Sequence, residues 1–239
     1  MYEKRWILRE TKLTIKSDSK RAIREAIKKG LESRHQIERF LIRCPEFRSS
    51  LEPLHLKKGS YPRVIELMLR AAEIAGTGPF AAVAGAISQV AAEAGIRAGA
   101  SGILVDNGGD VAVMGEKNFR VGIYAGSSPL SGKYAFSVGE EDLPVGICTS
   151  SGSVGHSLNF GDADAVVIVA DEASIADAVA TAVANEVRGS DIEESIRRGI
   201  SLARKITEIR GGLIIRGRYA GLIGKLPKIH PWDSREMPI

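Results

Sequence analysis

The chain has 239 residues, 44% of them hydrophobic, 26% charged and 5% aromatic, with 26 glycines and two cysteines. It can bury a core, so its composition excludes a disordered chain, and two cysteines exclude a disulfide-stapled secreted domain. The net charge of +4 is unevenly spread: residues 1–70 carry 18 Lys/Arg against 9 Asp/Glu, residues 71–190 carry 5 against 14, and residues 191–239 carry 10 against 6.

Basic ends can bind RNA or an anionic ligand, but at helical spacing they read first as solvated helix faces, and a nucleic-acid partner is not expected. The start, MYEKRWILRETK, places charges where a signal peptide needs an apolar run. The longest uncharged stretch, Ile74 to Ala92, is alanine-rich and interrupted by Gly-Thr-Gly-Pro, which suits a buried turn and helix better than a membrane span. No membrane partner is expected and the expected location is the cytoplasm.

Residues 5–16 read as a strand or hairpin, because Leu13 and Ile15 alternate with charges. Asp18 or Ser19 then caps a helix over 20–43, in which Ile23, Ile27, Leu31, Ile37 and Leu41 recur at helical spacing. It ends at Cys44-Pro45, since the residue before proline disfavours helix. A loop over 46–62 leads to a second helix over 63–75. Pro79 opens a third over 79–94, whose alanines and Gly85 give it a thin, close-packing surface. Strands are expected at 102–114 (interrupted), 119–124, 133–138 and 145–149. The apolar run Ala165–Ala170 predicts a central strand, and helices follow over 174–187 and 191–209. The segment GLIIRGRYAGLIG predicts a hairpin turning near Gly217.

The prolines at 227, 231 and 238 suggest a C-terminal tail over 227–239, after one domain spanning 1–226. The close succession of strands between 102 and 149 predicts an α+β fold, a mainly antiparallel sheet with helices packed on one side. The 103–170 region is expected to form one such sheet.

Three constellations could carry chemistry. The first is the turn Asp106-Asn107-Gly108-Gly109-Asp110, two carboxylates around a glycine pair that lets a ligand or another backbone approach; read locally, a bulge or an Asx-bonded turn is the plainer explanation. The second is Thr149-Ser150-Ser151-Gly152-Ser153-Val154-Gly155-His156-Ser157, directly after a strand and Cys148. Its hydroxyls and glycine N–H groups suit an anion such as phosphate, although no Gly-Lys-Ser/Thr follows as in a Walker loop. The third is the helix in which Ser174, Asp177, Thr181 and Asn185 fall on one face. Asp177 and Thr181 could present oxygen to one hard cation; the plain alternative is the wet face of an alanine-rich helix. His35, His55 and His230 have no metal-site spacing.

Four segments in this order resemble the ApbE-like superfamily: GPFAAVAGAISQVAAEAG, ILVDNGGDVAVMG, CTSSG and VVIVADEASIADAVATAVAN. Together they cover residues 76–190. CPEFRSSLEPL, GSSPLSG, SSGSVGHSLNFGDADAV and the GLIIRGR end resemble a soluble branch of that superfamily found in archaea and anaerobic bacteria. The resemblance implies a T-fold-like architecture. It further implies FAD or another nucleotide as ligand, Mg²⁺ held by Asp177 and Thr181, and a nucleotide near Gly108, Gly109, Asp110, Thr149, Ser150 and Gly152.

Two family elements are absent. The lysine-glycine pair of the transferases reads Ala84-Gly85 here, and their His-x-x-Asp-Pro-x-Thr-Gly segment is replaced by Gly155-His156-Ser157-Leu158-Asn159-Phe160-Gly161. Three functions follow as expectations. One is a Mg²⁺-dependent binder of a small phosphate-bearing ligand, with transferase chemistry if any. The second is a non-catalytic accessory protein. The third is sulfur handling through Cys148. A homo-oligomer is compatible with each.

Overall fold

The computed structural model describes residues 1–57, 59–152 and 160–232. In chain order the elements are β1 (Tyr2–Leu8), β2 (Thr11–Ser17), α1 (Lys20–Arg43), α2 (Glu46–Ser49), α3 (Arg63–Ala75), α4 (Val83–Arg97), β3 (Gly102–Asn107) and β4 (Asp110–Gly115). Then come β5 (Phe119–Gly122), β6 (Tyr134–Val138), β7 (Val145–Ser150), β8 (Ala165–Ala170), α5 (Ala173–Glu186), α6 (Ile192–Ala203), β9 (Ile209–Arg216), β10 (Tyr219–Gly224) and β11 (Lys228–Pro231). A 3-10 turn, Pro79–Ala82, leads into α4.

Eight strands form one antiparallel sheet in the order β1-β2-β3-β4-β7-β8-β9-β10. Two halves of like order, each a strand pair, a helical segment and a second strand pair, meet where β4 pairs with β7. The helices cover one face, as expected. Alternation along the strands sorts the side chains: Leu13, Ile15, Ile103, Val105, Ala112, Cys148 and Ile168 join the helix-side core. Leu104, Val111, Val113, Val145, Ile147, Val167 and Leu213 line the opposite face. Because β8 is buried on both faces, its six residues are apolar without alternation.

The expectation of one sheet across 103–170 is corrected. β5 and β6 leave the main sheet and pair with each other, and β6 also pairs with β11, in a second sheet of three strands. That layer brings Phe119, Phe136 and Val138 onto the non-helical face. Part of the expected tail is accordingly a strand: Ile229 pairs with Phe136 in β11, and the Trp232 N–H donates to the Lys133 carbonyl at 2.7 Å.

Local chemistry explains the helix limits. The Ser19 hydroxyl accepts the Ala22 N–H at 3.2 Å and fixes the start of α1. Asp191 does the same for α6 through the Glu194 N–H at 3.0 Å. The helix expected to run to residue 209 stops at Ala203, because the chain must already be extended at Ile209 to enter β9. Among the described residues, the one helical stretch long and apolar enough to cross a membrane is Pro79–Arg97, and it lies mostly in the helix-side core.

Candidate functional site

β3 and β4 are joined by a two-residue turn in which Gly108 and Gly109 have φ of 73° and 107°, the geometry of a tight hairpin. Asp106 Oδ1 accepts the Gly109 N–H at 2.8 Å and closes the turn. Asn107 turns to the helical side. Its Oδ1 accepts the Lys12 N–H at 3.1 Å and its Nδ2 donates to the Ala84 carbonyl at 3.4 Å, so its amide braces β2 and α4. Asp110 starts β4 opposite Cys148 on β7 and lies on the same helix-facing side. By strand alternation Asp106 belongs to the other face. The expected turn is therefore formed, but its two carboxylates diverge.

α4 and α5 approach each other closely over that rim. Gly85 lies against α5 so tightly that a Cβ there would sit 2.3 Å from the Ala173 carbonyl oxygen. This contact brings the Gly85 N–H to Asp177 Oδ2 at 2.8 Å. α4 has no side-chain cap of its own, so Asp177 acts as its cap in trans. The wet-face reading of α5 is corrected. Asp177 and Thr181 are each only 9% exposed, and Ser174 is fully buried. Ser174 donates from both N and Oγ to Gln89 Oε1 on α4. Asn185, two turns after Asp177, accepts the Phe160 N–H at 2.9 Å through Oδ1.

Three acidic side chains interact electrostatically here. Burial raises the Asp177 carboxyl from its ordinary value to about 7, against the opposing pull of the Gly85 and Ala84 N–H groups. Burial, then the Asp177 charge, then that of Asp106 push Asp110 well above the carboxylate range. Asp110 Oδ1 is shielded from solvent and has no hydrogen-bond partner among the described residues. Asp106 is raised by burial and held back by the Gly109 N–H and Lys16. Cys148 donates from Sγ to the Ala173 carbonyl at 3.2 Å. Burial and the Asp110 and Asp177 charges raise its thiol well above the ordinary value. A fully buried, protonated thiol is the opposite of what a thiolate carrier needs.

The hydroxyl-rich segment is only partly described. Thr149 is half-buried at the end of β7, beside Gly109, and its N–H helps to hold Asp110 down. Ser150 is buried and Ser151 half-buried. The Gly152 N–H donates to the Ala163 carbonyl at 3.0 Å and is not open to an anion. Gly155, His156 and Ser157 lie outside the described residues. Among the described residues no three His, Cys, Asp or Glu side chains converge to hold a metal ion, so any cation here would take its remaining ligands from hydroxyls, carbonyls or a bound molecule.

Sequence reasoning missed Ser88 and Gln89, and read Gly85 as a close-packing position without its role toward Asp177. Ser88 Oγ donates to the Asp110 carbonyl at 2.7 Å and ties α4 to the turn. The small residues around position 85 signalled close packing but not what they would meet.

A family model described as AbpE bacteria matches residues 4–207. A UPF0280 protein of Methanopyrus kandleri is 41% identical over 232 residues, covering 96% of this chain and 93% of its own. One from Methanospirillum hungatei is 42% identical over 229 residues, covering 96% and 90%. Among solved structures, the flavin transferase ApbE from Vibrio cholerae superposes with a TM-score of 0.58 at 12% identity, covering 98% of each chain. The ApbE protein from Thermotoga maritima gives 0.57 at 15%, again covering 98% of each. At those identities the likeness is one of fold. The sheet, the helices packed on one face and the near-complete match agree, and the chain belongs to the AbpE bacteria family, with the fold of ApbE flavin transferases.

Proposed function

We propose that the chain binds a phosphate-bearing ligand, a flavin or other nucleotide, together with Mg²⁺ between the Gly108-Gly109 turn, the start of α4 and the Asp177–Thr181 face of α5, and that it acts as a transferase of that ligand. One observation carries the reading. Asp110 and Asp177 are buried carboxyls that repel each other, with no Lys or Arg among the described residues set against them, and Asp110 Oδ1 has no hydrogen-bond partner among those residues. Two such groups are costly in a folded protein unless a cation or a proton neutralises them. Oxygen donors and two nearby carboxyls suit a hard divalent ion.

Asp177 and Thr181 would hold the ion, with Asp110 beside them. A bound Mg²⁺ supplies neutralisation of charge on a phosphoryl group. The chain's own parts do the rest. The Gly108-Gly109 turn admits the ligand close to backbone, Ser88 and Asn107 fix that turn to α4, and the Gly85 N–H orients the Asp177 carboxylate.

Alanine at position 84, in place of the transferase lysine, favours a second reading: a family member that retains the ligand site or its remnant without catalysis. Thermal melts with Mg²⁺, FAD, ADP and combinations separate the two. A raised midpoint that needs Mg²⁺ and the nucleotide together, lost in Asp110→Asn, is the expected result. No Mg²⁺-dependent shift with any nucleotide or flavin would leave the accessory reading in its place.

A further inference from the structure

We propose that the outer face of α1 binds the phosphate backbone of double-stranded nucleic acid. Helix α1 buries Ala22, Ile23, Ala26, Gly30, Ser33 and Ile37. Its opposite side exposes Arg21, Arg24, Lys28, Arg39 and Arg43. At 100° per residue these five fall in one stripe. The stripe is about 33 Å long at about 1.5 Å per residue.

None of the five forms an ion pair with a described residue. The other basic groups of the helix differ: Arg34 is held by Glu10 and Glu38, and Lys29 by Glu32 at 3.2 Å. Lys20 lies over the Tyr2 ring. The stripe's own acids are Glu25 and Glu32, and Lys29 neutralises the second. Composition alone gave a basic N-terminal third. The fold adds one stripe of five cations on a single helix, without ion pairs to described residues and interrupted by Glu25, Glu32 and His35.

The side chains of the row select the partner. Four of the five are arginines, whose planar fork matches phosphate oxygens. A single-stranded partner would need aromatic platforms for its bases, and the row has none. Insertion into a membrane surface needs an apolar face, and the exposed apolar group here is Ile42 alone, at the end of the row. A protein interface needs a buried apolar or aromatic centre, which is also missing. A duplex offers a stiff line of phosphates and asks for no such centre, and recognition would not depend on sequence.

The test is fluorescence anisotropy of a labelled DNA duplex of about 24 base pairs, in about 50 and 200 mM KCl. Four or five phosphate contacts weaken binding by about 150- to 500-fold across that range. Arg24→Glu with Arg39→Glu is expected to reduce affinity at least tenfold and to lower the salt slope by about two. The milder pair Arg21→Gln with Lys28→Gln should lower the slope similarly, and covers the case in which charge reversal disturbs folding. Arg204→Glu with Lys205→Glu, far along the chain and exposed, should leave binding unchanged. Equal binding by wild type and both α1 variants overturns the proposal. So does tighter binding to the single strand or to phosphatidylserine vesicles than to the duplex.

Discussion

Asp177 accepts the Gly85 N–H at 2.8 Å while its carboxyl titrates at about 7, so a cap and an unneutralised buried acid share one side chain. The unfolded chain would release that proton near 3.8, the ordinary value for aspartate. Between those two values the folded state holds more protons than the unfolded one. Stability therefore falls as pH rises through the window and returns on acidification. Asp110 is shifted in the same direction and adds to the effect. With a chelator present, the thermal midpoint should be higher at pH 5.5 than at pH 8. Asp177→Asn keeps an oxygen for Gly85 and removes the charge, so it should flatten this difference. Asp177→Ala also removes the cap, at about 1–2 kcal/mol. A wild-type midpoint that climbs from pH 5.5 to 8 would count against a buried, uncompensated acid.

At the scale of elements, Ala173 is the point on which three of them close. A Cβ at Gly85 would meet its carbonyl oxygen at 2.3 Å, and one at Gly146 on β7 would meet its Cα at 2.3 Å. Both obstacles are backbone and cannot swing aside. Gly85→Ala is expected to cost about 2 kcal/mol or more through overpacking and to separate Asp177 from the start of α4. Gly59→Ala, where the nearest atoms lie at 3.7 Å, should be close to neutral in the same urea titration. If the two variants unfold alike, the tight α4–α5 contact is not what sets Asp177 in place.

The same elements show what sequence could and could not disclose. The limits of α1, α3 and β8 were legible because a serine cap, a proline or an unbroken apolar run marks them. The depth of α5 was not. An alanine-rich helix buried on every side has no contrasting stripe, so the sequence leaves a wet face open as an alternative for Ser174, Asp177 and Thr181. That Asp177 and Thr181 share one helix face is legible in sequence, because four-residue spacing is local. The Asp177 partner Gly85, 92 residues earlier, could be found only through the fold.

For the molecule as a whole, the part hidden in the sequence is the second layer. β5 and β6 carry strand signals, but a strand signal does not say which strand is the neighbour, and the pairing of β6 with β11 joins residues far apart in the chain, such as Phe136 and Ile229. Of the prolines that suggested a tail, Pro231 ends β11 and Pro227 directly precedes it, positions where an edge strand tolerates proline. This layer lets the main sheet bury both faces, so Phe136, fully buried between the sheets, should matter as much as a residue of the helix-side core. Phe136→Ala is expected to destabilise the protein by about 3–5 kcal/mol. Leu222, on the edge strand β10, is 59% exposed, and Leu222→Ala should stay within about 0.5 kcal/mol. Equilibrium urea unfolding of the two variants reads the difference. Amide exchange then locates it: Phe136→Ala should speed exchange in β5, β6 and the facing strands β4 and β7. If Phe136→Ala proves as mild as Leu222→Ala, the three-stranded layer does not cover the sheet, and the outer face of β4, β7 and β8 must find other cover.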